Sequence, residues 1–234
     1  METQVTSRMR LALFDLDNTL LQGDSDLLWG ELLARSGAMD VERTRQYHVE
    51  YHEGTLDIDE FLRFQLEPLA REPRARLERW RAEFVTTLVR PRLSFAARAL
   101  VERHRDMGHE LAIVTATNRF ITEPIARELD IPHLVATEPE EIAGRFTGRV
   151  AGVPCYRAGK IERVAAWLAT RGLARTDVVE SWFYSDSHND LPLLGAVDHP
   201  VAVDPCPRLR AHARQAGWPV ISLRDEPNQL AAGA

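Results

Sequence analysis

The chain has 234 residues, 44% of them apolar and 27% charged, a composition that excludes a disordered chain, a collagen-like repeat and a disulfide-stapled miniprotein. Its net charge of −6 comes from 35 acidic and 29 basic residues, and the basic ones are scattered, so no patch offers itself to a nucleic-acid backbone. Two cysteines, Cys155 and Cys206, lack CxxC spacing, give no disulfide framework and suit a reducing compartment.

At about 100–200 residues per domain, the length suits one domain carrying an insertion. The apolar run ahead of Asp15 is too short for a signal-peptide core or a membrane span, so the expected location is cytoplasmic. Leu11 to Phe14 is a continuous apolar run stopped by polar residues, the pattern of a strand buried on both faces. From Asp26 to about Arg90 the spacing turns helical: Leu27, Leu28, Leu32 and Leu33, then Phe61, Leu62, Leu66 and Leu69, then Trp80, Phe84 and Leu88. Gly37, Gly54, Pro68 and Pro73 punctuate it. This stretch reads as a helical subdomain inserted after the first strand.

Beyond Pro91 strands and helices alternate. A helix over 94–107 precedes a strand over 111–114, a helix over 119–129 and a strand over 133–135; residues 147–150 belong to a small antiparallel excursion. A helix from Gly159, a strand over 182–184, a short helix over 191–194, a strand over 201–203, a helix from Arg208 and a strand at 220–221 complete the chain. Such alternation predicts right-handed crossovers and an α/β fold with a doubly wound, Rossmann-like parallel sheet. The expected division is a core of 1–21 and 91–234 and a helical cap of 22–90.

In sheets of this kind ligands bind beyond the carboxyl ends of the strands. The polar residues at those ends form one set: Asp15, Asp17 and Thr19 after the first strand, Thr115 after the second, Lys160 opening a helix, then Ser185, Asp186 and Asp190. Carboxylates so gathered repel one another unless a cation joins them, and a small all-oxygen site suits Mg²⁺ that keeps waters and a substrate phosphate in its shell. Lys160 is the only lysine among the 29 basic residues. A compact ammonium can neutralise a phosphoryl oxygen and a carboxylate together. Plainer readings exist for several members: a capping turn for DxDxT, a helix cap for Asp190, and a common strand-end threonine for Thr115. His188 is expected to be an exposed loop histidine, and Tyr47 and Tyr51 to be packing residues.

FDLDNT (14–19), the strand-end threonine of LAIVTAT (111–117), Gly159-Lys160 and YSDSHNDLPLL (184–194) stand in the order seen in the haloacid dehalogenase superfamily, whose phosphatases this sequence resembles. The helical insertion and TGRVAGVPC (147–155) are similar to the phosphoserine phosphatase-like branch. Ser185 and Ser187 depart from the usual pattern, which has glycines flanking the first aspartate of the fourth motif. The resemblance implies that Asp15 is a nucleophile forming an aspartyl-phosphate, Asp17 the acid and base, and Thr115 a donor to a phosphoryl oxygen. It further implies Mg²⁺ held by the Asp15 carboxylate, the Asp17 carbonyl and Asp186, with Asp190 in the metal site orienting a metal-bound water or Lys160.

Asp24, seven residues after Asp17, reads either as a helix cap for a segment starting near Asp26 or as a substrate contact. By resemblance, the acidic residue at this place binds the substrate's amino group. A small amine-bearing phosphate ester such as phosphoserine or histidinol phosphate is therefore expected, with Arg63 the candidate to meet a substrate carboxylate. Another class combines aspartates, Mg²⁺, a threonine and a lysine on a doubly wound sheet, the phospho-accepting signalling receiver. The length, the large insertion and Asp17, which would hasten hydrolysis of a stored phosphate, speak against it. A carbon–halogen hydrolase needs no leaving-group acid at position 17, and a dinucleotide enzyme would show GxGxxG after the first strand. A phosphatase of an unrelated small metabolite stays open.

Overall fold

The computed structural model describes residues 9–224. The reading of the N-terminus as too short for a leader, and both outer ends of the expected core, extend onto residues 1–8 and 225–234, outside the described residues. A six-stranded sheet of order β3-β2-β1-β6-β7-β8 forms the centre, every neighbouring pair parallel. Its strands are β1 (Met9–Phe14), β2 (Glu110–Asn118), β3 (His133–Thr137), β6 (Val178–Ser185), β7 (His199–Val203) and β8 (Val220–Ile221). An antiparallel hairpin of β4 (Pro139–Ile142) and β5 (Arg145–Val150) stands apart from it. This is the doubly wound α/β arrangement expected from the alternation of strands and helices.

The apolar run of β1 explains its central place. Leu11 and Leu13 point into one buried cluster with α7 (Gly159–Thr170), α8 (Leu191–Leu194) and α9 (Pro207–Ala216), while Ala12 and Phe14 point into the other. That second cluster also takes α5 (Phe95–Asp106), α6 (Arg119–Glu128) and the helices inserted after β1. A strand with a core on both faces has no polar position to spare, and each of its large side chains contributes about 1.5–3 kcal/mol by burial. β2 runs past the expected Val114 to Asn118, because Thr115 and Thr117 suit an extended backbone and Asn118 pairs with Thr137 of β3.

Between β1 and β2 stand α1 (Ser25–Ala34), α2 (Val41–Glu53), α3 (Ile58–Arg71) and α4 (Arg74–Phe84), the last leading through a π turn over 85–89. Asp24, Asp40 and Asp57 begin the first three, each accepting backbone N–H groups that the helix leaves unpaired. An alanine at any of these caps would cost about 1 kcal/mol. Among the described residues no helix is long and apolar enough to cross a membrane, and Cys155 and Cys206 are both free thiols.

His104 of α5 is sealed against β1 and β6 by Phe14, Trp182 and Tyr184. Its Nε2 meets the Tyr184 hydroxyl at 2.7 Å and its Nδ1 meets Nδ1 of His109 at 2.8 Å. One of the paired rings must donate and the other accept, so protonating both breaks the pair. Burial, with the neighbouring His109 and Arg103, pushes His104 down to about 4. Since the unfolded chain binds this proton near pH 6.5 and the folded chain does not, His104 stabilises the fold above that pH and the contribution is lost as pH falls toward 4. Urea unfolding at pH 7 and pH 4 should show the wild type losing about 3 kcal/mol more than His104→Gln across that interval. Equal losses would mean that His104 titrates normally.

Candidate active site

Reversal of strand order, outward through β2 and β3 on one side of β1 and through β6 to β8 on the other, leaves a crevice at the carboxyl ends of β1 and β6. Asp15 follows β1 and is fixed by its N–H, which donates to the Tyr184 carbonyl at 2.8 Å. Asn18 adopts a left-handed conformation, φ 55°, turning the chain so that its N–H reaches the Gly23 carbonyl. Thr19 ties two motifs together: its hydroxyl accepts the Asp186 N–H at 3.1 Å and lies 3.5 Å from Asp15 Oδ2.

Lys160 reaches this edge from the first turn of α7. The glycine before it is required by space, since a Cβ on Gly159 would lie 2.2 Å from the Pro154 carbonyl oxygen. Only 1% of Lys160 is exposed, and Nζ donates to Asp15 Oδ1 at 2.8 Å and to Asp190 Oδ2 at 2.7 Å. Burial works against the ammonium, but the two carboxylates outweigh it and hold the lysine charged. Asp15 is itself pushed up to about 6, by burial first and by Asp190 in part, with Lys160 opposing.

Asp190 was expected both among metal-holding residues and as a guide for Lys160. The structure sets it behind the lysine, with Oδ2 also taking the Ser185 hydroxyl at 2.7 Å, and its side chain makes no helix-capping bond. The serines that replace the usual glycines are part of this support. Ser185 Oγ accepts the Ser187 N–H at 3.1 Å, and Ser187 Oγ accepts that of Asn189 at 3.2 Å.

Asp17 sits above, with Oδ1 accepting the Ser25 N–H at 2.6 Å and Oδ2 the Thr117 hydroxyl at 3.0 Å. The same hydroxyl lies 2.8 Å from Asp26 Oδ2. A hydroxyl has a single proton, so it can donate fully to only one of the two carboxylates. The electrostatics agree: Asp17 is pushed up to about 7 by burial and by Asp24 and Asp15, and Asp26 goes well above the usual carboxylate range for the same kind of reason. Asp24 goes the other way. Burial raises it, but the hydrogen bond and charge of His48 and the Leu27 N–H more than offset that. Its Oδ1 caps α1 through Leu27 at 2.8 Å, so the capping role is made, while Oδ2 lies 3.1 Å from His48 Nδ1.

A cavity joins these groups to the inserted helices. Its floor carries Asp15, Asp17, Thr115 and Asp186, and its wall is formed by α2 and α3. Tyr51 lines it, as does Tyr47, which also packs edge-on to Phe61. Arg63 does not reach the cavity; it lies exposed on the outer face of α3 with Nε bonded to the Asp59 carbonyl. His188, expected to be exposed, is only 8% so. The end of α2 roofs it, with Arg208 donating to its Nε2 at 3.1 Å and a Cβ on Gly54 falling 2.9 Å from that atom. Three core side chains hold this end of α2 down: Asn189 donates to the Tyr51 carbonyl, Arg208 to that of Glu53 and Arg157 to that of Gly54.

The structure thus brings Asp15, Asp17, Asp24, Thr115, Lys160, Asp186 and Asp190 to one end of the sheet. Sequence reasoning missed Asp26, Thr117 and His48. Thr117 had a usable signal, since it stands two residues after Thr115 on the same strand face. A divalent cation fits the donor set at the floor. Asp186 is buried, receives no hydrogen bond on its carboxylate among the described residues, and is pushed well above the usual range by burial and by Asp15 and Asp190. Together with the Asp15 carboxylate and the Asp17 carbonyl it offers the hard oxygens that Mg²⁺ takes while keeping waters.

Relatives share both sequence and fold. Residues 12–195 match the haloacid dehalogenase-like hydrolase family. A histidinol-phosphatase of Neisseria meningitidis is 40% identical over 219 residues, which cover 92% of this chain and 99% of that protein. A phosphoserine phosphatase of Mycobacterium tuberculosis is 30% identical, covering 95% of this chain and 76% of that protein. A protein of unknown function from Bordetella pertussis superposes with a TM-score of 0.86 at 47% identity, over 92% of this chain and 99% of the other. A phosphoserine phosphatase solved as a phospho-aspartyl intermediate analogue has the same fold, with a TM-score of 0.68 at 17% identity over 96% and 98% of the two chains. The chain therefore belongs to the haloacid dehalogenase-like hydrolase family, and within it to the phosphatases.

Proposed function

We propose that this phosphatase is Mg²⁺-dependent, works through an aspartyl-phosphate on Asp15, and acts on a small phosphate monoester that bears an ammonium group. The observation that carries the reading is the buried Lys160 bridge between Asp15 and Asp190, with Asp17 two residues on and a proton at hand. An oxygen of Asp15 attacks phosphorus, and the bond from phosphorus to the leaving alcohol breaks as Asp17 protonates that oxygen. Water then attacks the phosphoryl group, Asp17 takes its proton, and the Asp15–phosphorus bond breaks to release phosphate. Lys160 and the Thr115 hydroxyl face the charge that develops on the phosphoryl oxygens. Mg²⁺ held by Asp15, the Asp17 carbonyl and Asp186 would supply the remaining positive charge.

The ammonium follows from the cavity wall. Asp24 and Asp26 line it beside the phosphate end, and among the described residues no arginine or lysine does. Such a wall favours a cationic substrate without a carboxylate, and so histidinol phosphate over phosphoserine. The Neisseria relative named histidinol-phosphatase supports this choice.

Asp15→Asn should fold as the wild type does and lose turnover of histidinol phosphate altogether, because a nearly isosteric amide is a poor nucleophile; more than a trace of activity removes Asp15 from that role. Chelation of divalent ions should abolish activity and Mg²⁺ should restore it, whereas Ca²⁺, with its larger and looser shell, should not. Full turnover in excess chelator rejects the metal. Asp24→Asn should lower kcat/KM for amine-bearing esters by about tenfold more than for amine-free ones, as expected for loss of a charged hydrogen bond. An equal effect on both leaves Asp24 as a helix cap only.

A further inference from the structure

The wall contributed by α2 and α3 contains one polar side chain that nothing in the fold explains. Ile58, Phe61 and Gln65 stand at i, i+3 and i+7 on the face of α3 turned to the cavity. Gln65 is 1% exposed, and neither its Oε1 nor its Nε2 has a hydrogen-bond partner among the described residues. Three other polar side chains on the same wall have partners of their own. Thr44 donates to the Asp40 carbonyl, the Tyr47 hydroxyl bonds Glu60, and His48 bonds Asp24. A buried carboxamide with two donors and an acceptor unused lowers stability, so leucine or methionine would serve the fold better. An unpaired group facing a binding cavity is the converse case, where the missing partner arrives with the ligand.

The surroundings restrict what that partner is. With no arginine or lysine among the described residues on the lining, a substrate carboxylate would be buried unpaired, and Asp24 and Asp26 make its burial costlier still. A carboxamide offers both a donor and an acceptor, so it can meet either the N–H or the acceptor nitrogen of a flat nitrogen-containing ring. Phe61 and Tyr47, both on the lining, supply apolar ring surface for such a group.

Resting on the reading of this site as a phosphatase for ammonium-bearing esters, we propose that Gln65 is the specificity-determining contact for a neutral, planar, nitrogen-containing group at the substrate's end away from the phosphate. Its amide pairs with that group, and the phosphate end remains the business of the core.

The test compares histidinol phosphate, which carries an imidazole, with 2-aminoethyl phosphate, which has the amine and no ring. Wild type, Gln65→Met and Gln65→Leu are assayed on both, with Tm measured for each protein. The expected result is a fall of roughly tenfold or more in kcat/KM for the ring-bearing ester in both variants, with 2-aminoethyl phosphate changed much less and Tm unchanged or raised. Wild type active on histidinol phosphate, with the ratio between the two esters unmoved in folded variants, overturns the role of Gln65 and leaves the phosphatase reading intact. Wild type inactive on histidinol phosphate overturns the substrate reading and this assignment together. A lowered Tm in both variants would show that Gln65 serves the fold, against the proposal.

Discussion

An ammonium held out of water between two carboxylates is the constraint around which the rest is arranged. Lys160 can stay charged at the sheet edge only because Asp15 and Asp190 both reach it, and those aspartates tolerate burial only because it is there. Removing one member of such a group typically costs about 3–5 kcal/mol, since the survivors keep their desolvation without its return. Much of the local detail serves this contact. Gly159 lets the loop before α7 press close, Ser185 holds Asp190, and Thr19 links the Asp15 loop to the Asp186 loop. The cluster still carries more negative than positive charge, which suits it to a cation and a phosphate arriving together.

The inserted helices cover the sheet edge and line the cavity there with carboxylates. α1 begins with Asp24 and Asp26 in place, so the same turn that starts the helix lines the cavity with carboxylate. Asp26 and Asp17 meet at Thr117, which places a strand of the core, the Asp15–Asp17 loop and the first inserted helix in one hydrogen-bonded group. Chemistry at the sheet edge and the position of that helix are therefore not independent.

The core was legible because parallel strands buried on both faces leave continuous apolar runs, and the residue ending each run is forced to the ligand side. Asp15, Thr115 and Asp186 are found that way, and Lys160 by its place at the start of a helix. Asp24 was visible only by its spacing, and its two oxygens prove to serve a helix cap and His48 at once. The cavity wall was not legible: Gln65 and His48 sit in amphipathic helices whose rotation is set by packing against the core, and helical periodicity alone does not say which stripe faces a cavity. His188 misled for a related reason. Its polar neighbours read as an exposed loop, but the roof over it comes from Gly54, 134 positions earlier in the chain.

The fastening of α2 to the core has a consequence for how the enzyme responds to its medium. Arg157 and Arg208 donate to the last carbonyls of that helix, the negative end of its dipole, and both contacts lie at the exposed rim. Contacts of that kind are screened by dissolved ions over a Debye length of about 8 Å at physiological strength, while the dry cluster beneath is screened far less. Raising ionic strength therefore loosens this fastening before it disturbs the buried charges of Asp15, Lys160 and Asp190. The fastening of α2 is thus the salt-sensitive part of this design, and the buried Lys160 cluster is the part insulated from it.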